Sequence, residues 1–172
     1  MRVACVVWSV VVATVVLCGC GSHAAAAVVE GRATVARVID GDTIVVHVGG
    51  RDEHVRLLGI DTPETHKPGT PVECFGPEAA VHLRDLLPDG TTVRLERDTV
   101  TRDRYGRLLA YVFRDDGTFV DLAMVRDGYA GPLVIEPNVA HRGEIERAAA
   151  AAKAARTGLW GACGGFHVAG GG

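Results

Sequence analysis

Ala33-Thr34-Val35-Ala36-Arg37-Val38-Ile39-Asp40-Gly41-Asp42-Thr43-Ile44-Val45-Val46-His47-Val48-Gly49-Gly50 is the stretch on which the architecture of this 172-residue chain turns. Two runs rich in Val, Ile and Thr flank an Asp-Gly pair, the composition of strands joined by a turn. In the second run Ile44, Val46 and Val48 share one face, and Thr43, Val45 and His47 the other, as a pleat of period two requires. Gly49-Gly50 then supplies the next turn.

Working downstream, His54 to Ile60, Thr91 to Glu96 and Leu108 to Phe113 repeat the β-type pattern, which makes five strands with Ala33 to Ile39 and Thr43 to Val48. Three helices interleave with them. Gly76-Pro77 opens the first, with Ala80, Leu83 and Leu87 on one face and Pro88 as a stop. The second is short, with Asp121 as its expected N-cap and Gly128 as its terminator. The third runs roughly from His141 to Arg156, where Ile145, Ala148, Ala149 and Ala152 form an apolar stripe ahead of Gly158. The order of three strands, a helix, two strands and two helices implies an α+β fold. It suits a small closed antiparallel barrel with three helices packed around it, the OB-fold leading.

Upstream of the barrel the chain reads differently. Met1-Arg2, an apolar run from Val3 to Leu17 and small residues after it fit a secretory signal over residues 1–19 better than a membrane span, which takes about 20 apolar residues. Leu17-Cys18-Gly19-Cys20 resembles a lipoprotein box, which makes Cys20 the expected site of lipidation and residues 20–29 a tether. The alternative is cleavage nearer Ala24 to Ala27 and ordinary secretion. The folded domain is expected over residues 30–163, with 164–172 as a flexible tail. The formal charge is −3, and loss of Arg2 with the signal leaves 17 basic against 21 acidic residues. A globular domain of this length is single and acidic, not a disordered or strongly basic one. Of five cysteines, Cys5 and Cys18 leave with the signal and Cys20 carries lipid. Cys74 and Cys163 remain, and in an oxidising compartment they are expected to form one disulfide. No CxxC or HxxxH pair points to zinc.

Three polar segments are not explained by packing. The first is the acidic turn Ile39-Asp40-Gly41-Asp42-Thr43, which taken alone reads as a hairpin. The second is Val55-Arg56-Leu57-Leu58-Gly59-Ile60-Asp61-Thr62-Pro63-Glu64-Thr65, an apolar strand that carries one Arg and ends in two acids. The third is Thr101-Arg102-Asp103-Arg104-Tyr105-Gly106-Arg107, a charged turn. Arg56 is the most telling residue, because an unpaired charge inside such a strand costs several kcal/mol. It therefore requires an anionic partner, either a substrate or one of the following acids.

In this order and spacing, with Cys74-Phe75-Gly76-Pro77-Glu78-Ala79, Leu108-Leu109-Ala110-Tyr111-Val112, Leu122 to Ala130 and Gly158-Leu159-Trp160, the three segments resemble the thermonuclease (staphylococcal-nuclease-like) family over about Glu30 to Trp160. The resemblance implies a calcium-dependent endonuclease with its site at the rim of a five-stranded OB barrel. Asp42, Asp61 and the Thr62 carbonyl would hold the calcium ion, Glu64 would activate the attacking water, and Arg56 and Arg107 would grip the phosphate. Arg104 and Tyr105 would meet the rest of the substrate, and Asp40 would belong to the acidic surroundings of the metal. These types suit those tasks: a hard dication takes oxygen ligands, a carboxylate can accept a proton from water, and guanidinium forks match phosphoryl oxygens.

The expected partner is DNA or RNA, single-stranded in preference, and the chain is expected to act as a monomer anchored by lipid to the outer face of the cell membrane. Two departures stand out. Gly131 to Asn138 is aliphatic where the family's best-known member carries nucleotide-facing tyrosines, and the domain is acidic where many such nucleases are basic. Arg94, Arg97, Arg102, Arg104 and Arg107 form either a local positive rim or a solvated hairpin with Glu96, Asp98 and Asp103. The rival readings are an OB-fold lipoprotein that binds single-stranded nucleic acid without cutting it, and a surface lipoprotein with a structural role.

Overall fold

The computed structural model describes residues 31–65, 69 and 71–166. The expected signal, Cys20, the expected tether and residues 167–172 lie outside the described residues. Five strands close a barrel in the order β1-β2-β3-β6-β5: β1 Gly31–Asp40, β2 Thr43–Val48, β3 Arg51–Leu57, β5 Thr92–Glu96 and β6 Leu108–Arg114. The helices are α1 Gly76–Leu86, α2 Val120–Arg126, α3 Arg142–Ala154 and a single turn, α4 Leu159–Ala162. The α+β barrel expected from the sequence is the fold found.

Four details correct that expectation. The barrel is not wholly antiparallel, because β3 and β6 run parallel, with Arg56 beside Leu109. The chain crosses over through α1 and β5 between them, a separation that permits a parallel pair. The third strand does not run through Ile60. It ends at Leu57, and Gly59, at φ +78°, turns the chain into a two-residue strand, β4 Ile60–Asp61, that pairs with β7 Gly131–Pro132. A fourth helix exists, too short at four residues to show a period. Asp121 is not the cap of α2: that place falls to Phe119, which makes no side-chain cap, while Asp121 is fully buried inside the helix and accepts the Val112 N–H at 2.8 Å.

Local chemistry accounts for the rest. Gly49 and Gly50 both have positive φ, the conformation a two-residue hairpin between β2 and β3 demands. Val35, Ile44, Val46, Val55, Leu57, Val93, Leu95 and Val112 belong to the core, and Leu83, Met124 and Ile145 bring α1, α2 and α3 onto it. The α3 stripe buries Ile145, Ala149 and Ala152 as expected. A disulfide joins Cys74, just ahead of α1, to Cys163 at the end of α4. Phe166 rests against Trp160, with ring centroids 6.3 Å apart.

Candidate active site

The site begins where β1 turns into β2. Asp42 sits in that turn, and Arg56 lies across from Thr43 in β3, so the hairpin register sets the two side by side. β4 then delivers Asp61. Arg56 is only 6% exposed, and its Nη2 lies 2.8 Å from Asp61 Oδ1 and 3.2 Å from Asp42 Oδ2. Its Nη1 donates to the carbonyls of Leu57 and Ile60 at 2.8 and 2.9 Å. The guanidinium is thus held by both acids and by the backbone of its own strand exit.

Asp42 is fixed in turn. Its Oδ1 accepts the Thr43 hydroxyl at 2.9 Å, and its Oδ2 accepts the Thr62 N–H and hydroxyl at 3.3 and 3.2 Å. Thr62 packs so close to the turn that a Cβ on Gly41 would stand 2.8 Å from its side chain. Glycine is required there by space. Thr65 ties the next residues down by donating its hydroxyl to Asp40 at 2.9 Å. Burial raises the Asp40 carboxyl above its ordinary range, and the hydrogen bonds from Gly41 and Thr65 oppose that rise.

Glu64 follows on the same loop. Its Oε1 accepts the Thr65 N–H at 3.0 Å, and its backbone exchanges two hydrogen bonds with Glu73: Glu64 N–H to the Glu73 carboxylate and Glu73 N–H to the Glu64 carbonyl, both 2.9 Å. Across from these acids stands the β5–β6 segment. Asp103 accepts Arg107 Nε at 2.7 Å and the backbone N–H groups of Tyr105 and Arg107 at 2.9 Å, which orders the turn and aims Arg107. Burial alone would raise the Asp103 carboxyl, but the Arg107 bonds hold it below its usual range. Arg104 donates to the hydroxyl of Tyr105, a residue 68% exposed. One open cleft of about 1030 Å³ is lined by Asp40, Asp42, Arg56, Asp61 and Glu64 together with Asp103, Arg104, Tyr105 and Arg107, and by Leu133 and Ile135. Thr62, the remaining residue of the expected metal set, stands behind Asp42.

Residues 54–162 match the profile of the family described as staphylococcal nuclease homologues. The chain belongs to that family. A thermonuclease of Staphylococcus intermedius is 43% identical over 126 residues, covering 73% of this chain and 74% of the relative. A thermonuclease of Staphylococcus hyicus is 40% identical over 73% of each chain. Endonuclease YncB of Bacillus subtilis is 39% identical over 129 residues, 74% of this chain and 60% of the relative. The family's matched span contains Arg56, Asp61 and Glu64 on one segment and Arg107 on another, and Asp42 joins them at the cleft from just upstream of it.

The family's metal can be tested against this geometry. No three His, Cys, Asp or Glu side chains gather as a metal cluster among the described residues. Asp42 and Asp61 do converge on one cationic nitrogen, and two carboxylates with a backbone carbonyl would form an all-oxygen donor set, which suits a hard dication. The arginine rim is less free than its sequence suggests. Arg102 makes a bidentate bridge to Glu53 at 2.8 and 3.0 Å, and Arg94 pairs with Glu96 and lies over Phe113. Sequence reasoning missed Glu53, Glu73 and Asp103 as partners. Only Asp103 carried a signal, its four-residue spacing from Arg107.

Proposed function

We propose that the chain is a calcium-dependent endonuclease that hydrolyses phosphodiester bonds of DNA or RNA, exported and anchored through lipid on Cys20 at the outer face of the cell membrane. The observation that carries the catalytic part is Arg56. A buried guanidinium bridges two carboxylates at the wall of a cleft that Glu64 and Arg107 also line, in a chain 43% identical to a thermonuclease.

Asp42, Asp61 and the Thr62 carbonyl would hold the calcium ion, whose charge supplies attraction for a phosphate oxygen beside the acids. Glu64 takes a proton from a water molecule, and the water oxygen attacks phosphorus as one ester P–O bond breaks. The departing oxygen collects a proton from solvent. Arg107, aimed by Asp103, and Arg56, turned from the acids to the phosphate, donate N–H groups to the phosphoryl oxygens as their charge grows. The aliphatic wall of Leu133 and Ile135 gives a base contact area but no ring to stack on, and stacking is worth about 1–3 kcal/mol per base. Tyr105 is the ring this cleft offers a base, and affinity for a single nucleotide should fall by what the missing rings would have contributed.

Residues 21–172 assayed on denatured DNA should cut with calcium and stop in excess chelator. Glu64→Ala should lower turnover about 10²–10⁴-fold in a folded protein. Full activity in chelator would end the calcium assignment, and a wild-type rate in Glu64→Ala would end the role of the base. Location is tested separately, by fractionating cells that express the native chain and Cys20→Ala. The native chain should stay with membranes, and a native chain found in the medium with its N-terminus at or beyond Ala24 would replace the anchor with ordinary secretion. The Cys74–Cys163 disulfide favours an oxidising compartment in either case.

A further inference from the structure

Glu64 has no rigid element beneath it: it stands in the loop between β4 and α1, and what fixes its backbone comes from a segment nine residues away. Glu73 closes both sides of that backbone, accepting the Glu64 N–H and donating to the Glu64 carbonyl, each at 2.9 Å. Gly76 completes the contact, because a Cβ there would stand 3.1 Å from the carbonyl oxygens of Pro63 and Glu64 and 2.8 Å from the Thr65 methyl. Between them Phe75 is a non-glycine residue at φ +71°, a conformation that persists only where the surroundings impose it. Its ring lies against Tyr129, with centroids 5.2 Å apart.

Cys74 sits in the middle of this segment, and its sulfur is bonded to Cys163, 89 residues away. Cys163 caps α4, whose Leu159 is fully buried and donates its N–H to the Gly128 carbonyl at 2.9 Å. The disulfide thus fastens Glu73-Cys74-Phe75-Gly76, and through it Glu64, to the far end of the domain. A staple placed only for stability could sit wherever two Cα atoms come within about 7 Å of each other. This one lies next to Glu73, which pairs with both sides of the Glu64 backbone.

We propose that Glu73 is a positioning residue for Glu64 and that the Cys74–Cys163 disulfide locks it, so that turnover of the folded enzyme depends on the oxidised state of the chain. This rests on the assignment of Glu64 as the base. Reduction by a dithiol transfers two electrons to the two sulfurs, which take up two protons as thiols while the dithiol closes into its own disulfide. The segment then keeps its hydrogen bonds but loses its anchor, and Glu64 samples unproductive positions. A chain met by reductant inside a cell would be a slow nuclease before it is an unfolded one.

The test compares wild type, Glu73→Ala, Glu73→Gln, Cys74→Ser/Cys163→Ser and Glu64→Ala, in saturating calcium on denatured DNA, each assayed well below its own melting temperature. Glu73→Ala should lower kcat about 10- to 100-fold with KM within about twofold, the loss expected when a catalytic group is misplaced by about an ångström. Glu73→Gln keeps an acceptor oxygen for the Glu64 N–H and should recover to within about threefold of wild type. The double serine variant, and wild type reduced with dithiothreitol, should share a several-fold drop in kcat and not in KM. If Glu73→Ala does not fold, Glu73→Asp, which shortens the reach by one methylene, is read in its place. Wild-type kcat in Glu73→Ala, equal losses in Ala and Gln, or a change confined to KM would overturn the positioning role. A folded double serine variant with wild-type kcat would overturn the lock. A wild-type rate in Glu64→Ala would instead remove the base assignment on which both depend.

Discussion

Among the described residues one arginine and one aspartate are taken out of water, and they are treated in opposite ways. Arg56, 6% exposed, meets two carboxylates through Nη2 and two carbonyls through Nη1, so its charge is paired. Asp121, 0% exposed, receives the Val112 N–H on one oxygen while the other has no hydrogen-bond partner. Burial pushes the Asp121 carboxyl up to about 8, against the pull of that backbone bond and of the distant charges of His141 and Arg56. A buried charge held by two carboxylates at the edge of a cleft fits the proposed role of Arg56 in binding an anion. A buried acid kept neutral inside a helix is a cost borne by the fold.

The largest expected effect separates the two by activity. Arg56→Ala should lower turnover by about 10²–10³-fold, the loss typical when a group aimed at developing charge is removed, and Arg56→Lys should rescue little because a point charge lacks the two-pronged geometry. Asp121→Asn should turn over at the wild-type rate. Steady-state rates on denatured DNA decide it, and comparable losses in both would mean that Asp121 acts on the cleft after all.

Next in size is stability without metal. Removing Arg56 leaves Asp42 and Asp61 facing each other with no cation between them, and breaking such a buried pair costs about 3–5 kcal/mol. Calcium should return part of this, because the two acids then attract it without competition from Arg56. Urea unfolding of Arg56→Ala in chelator and in calcium measures the difference. Equal midpoints would show that the acids do not share a cation. Asp121→Ala should cost about 1–3 kcal/mol by orphaning the Val112 N–H, and calcium should not change that figure.

The same pair shows how far the sequence could be read. Arg56 was legible because a lone charge in an apolar strand demands a partner, and Asp61 and Glu64 follow within eight residues. Five strands, the three longer helices and the cleft residues Asp42, Arg56, Asp61, Glu64 and Arg107 followed from local pattern and motif. Asp121 misled, since an acid ahead of a short apolar run has the composition of an N-cap, and only the packing of β6 against α2 shows it buried. The parallel β3–β6 pair, the turn at Gly59 and the Glu73 contacts to Glu64 were out of reach for one reason. Each is a pairing between distant segments with no periodicity to announce it.

The last effect is the pH dependence that Asp121 imposes. Its folded pKa, about 8, lies above the ordinary carboxyl value of 3.8, so across that interval the folded chain keeps a proton that the unfolded chain has released. Stability therefore falls as pH rises wherever the folded state binds more protons. The contribution is intact below the ordinary carboxyl value and is lost progressively up to the folded one, in the direction opposite to an acid held low by a salt bridge such as Asp103. Asp121→Asn carries no proton to lose and keeps an oxygen for the Val112 N–H. The melting temperature of wild type should therefore drop relative to Asp121→Asn between about pH 5 and pH 8, with the two closest at the acid end. His141 contributes with the same sign nearer neutrality. Burial pushes its pKa down, but Glu96 and Glu144 raise it above the ordinary histidine value, and its stabilisation is lost as pH climbs through that raised value. Because His141 is present in both proteins, the difference between their melting curves isolates Asp121. A difference that stays constant with pH would mean that Asp121 is ionised in the folded chain, its unpartnered oxygen hydrated, and the contrast with Arg56 would dissolve.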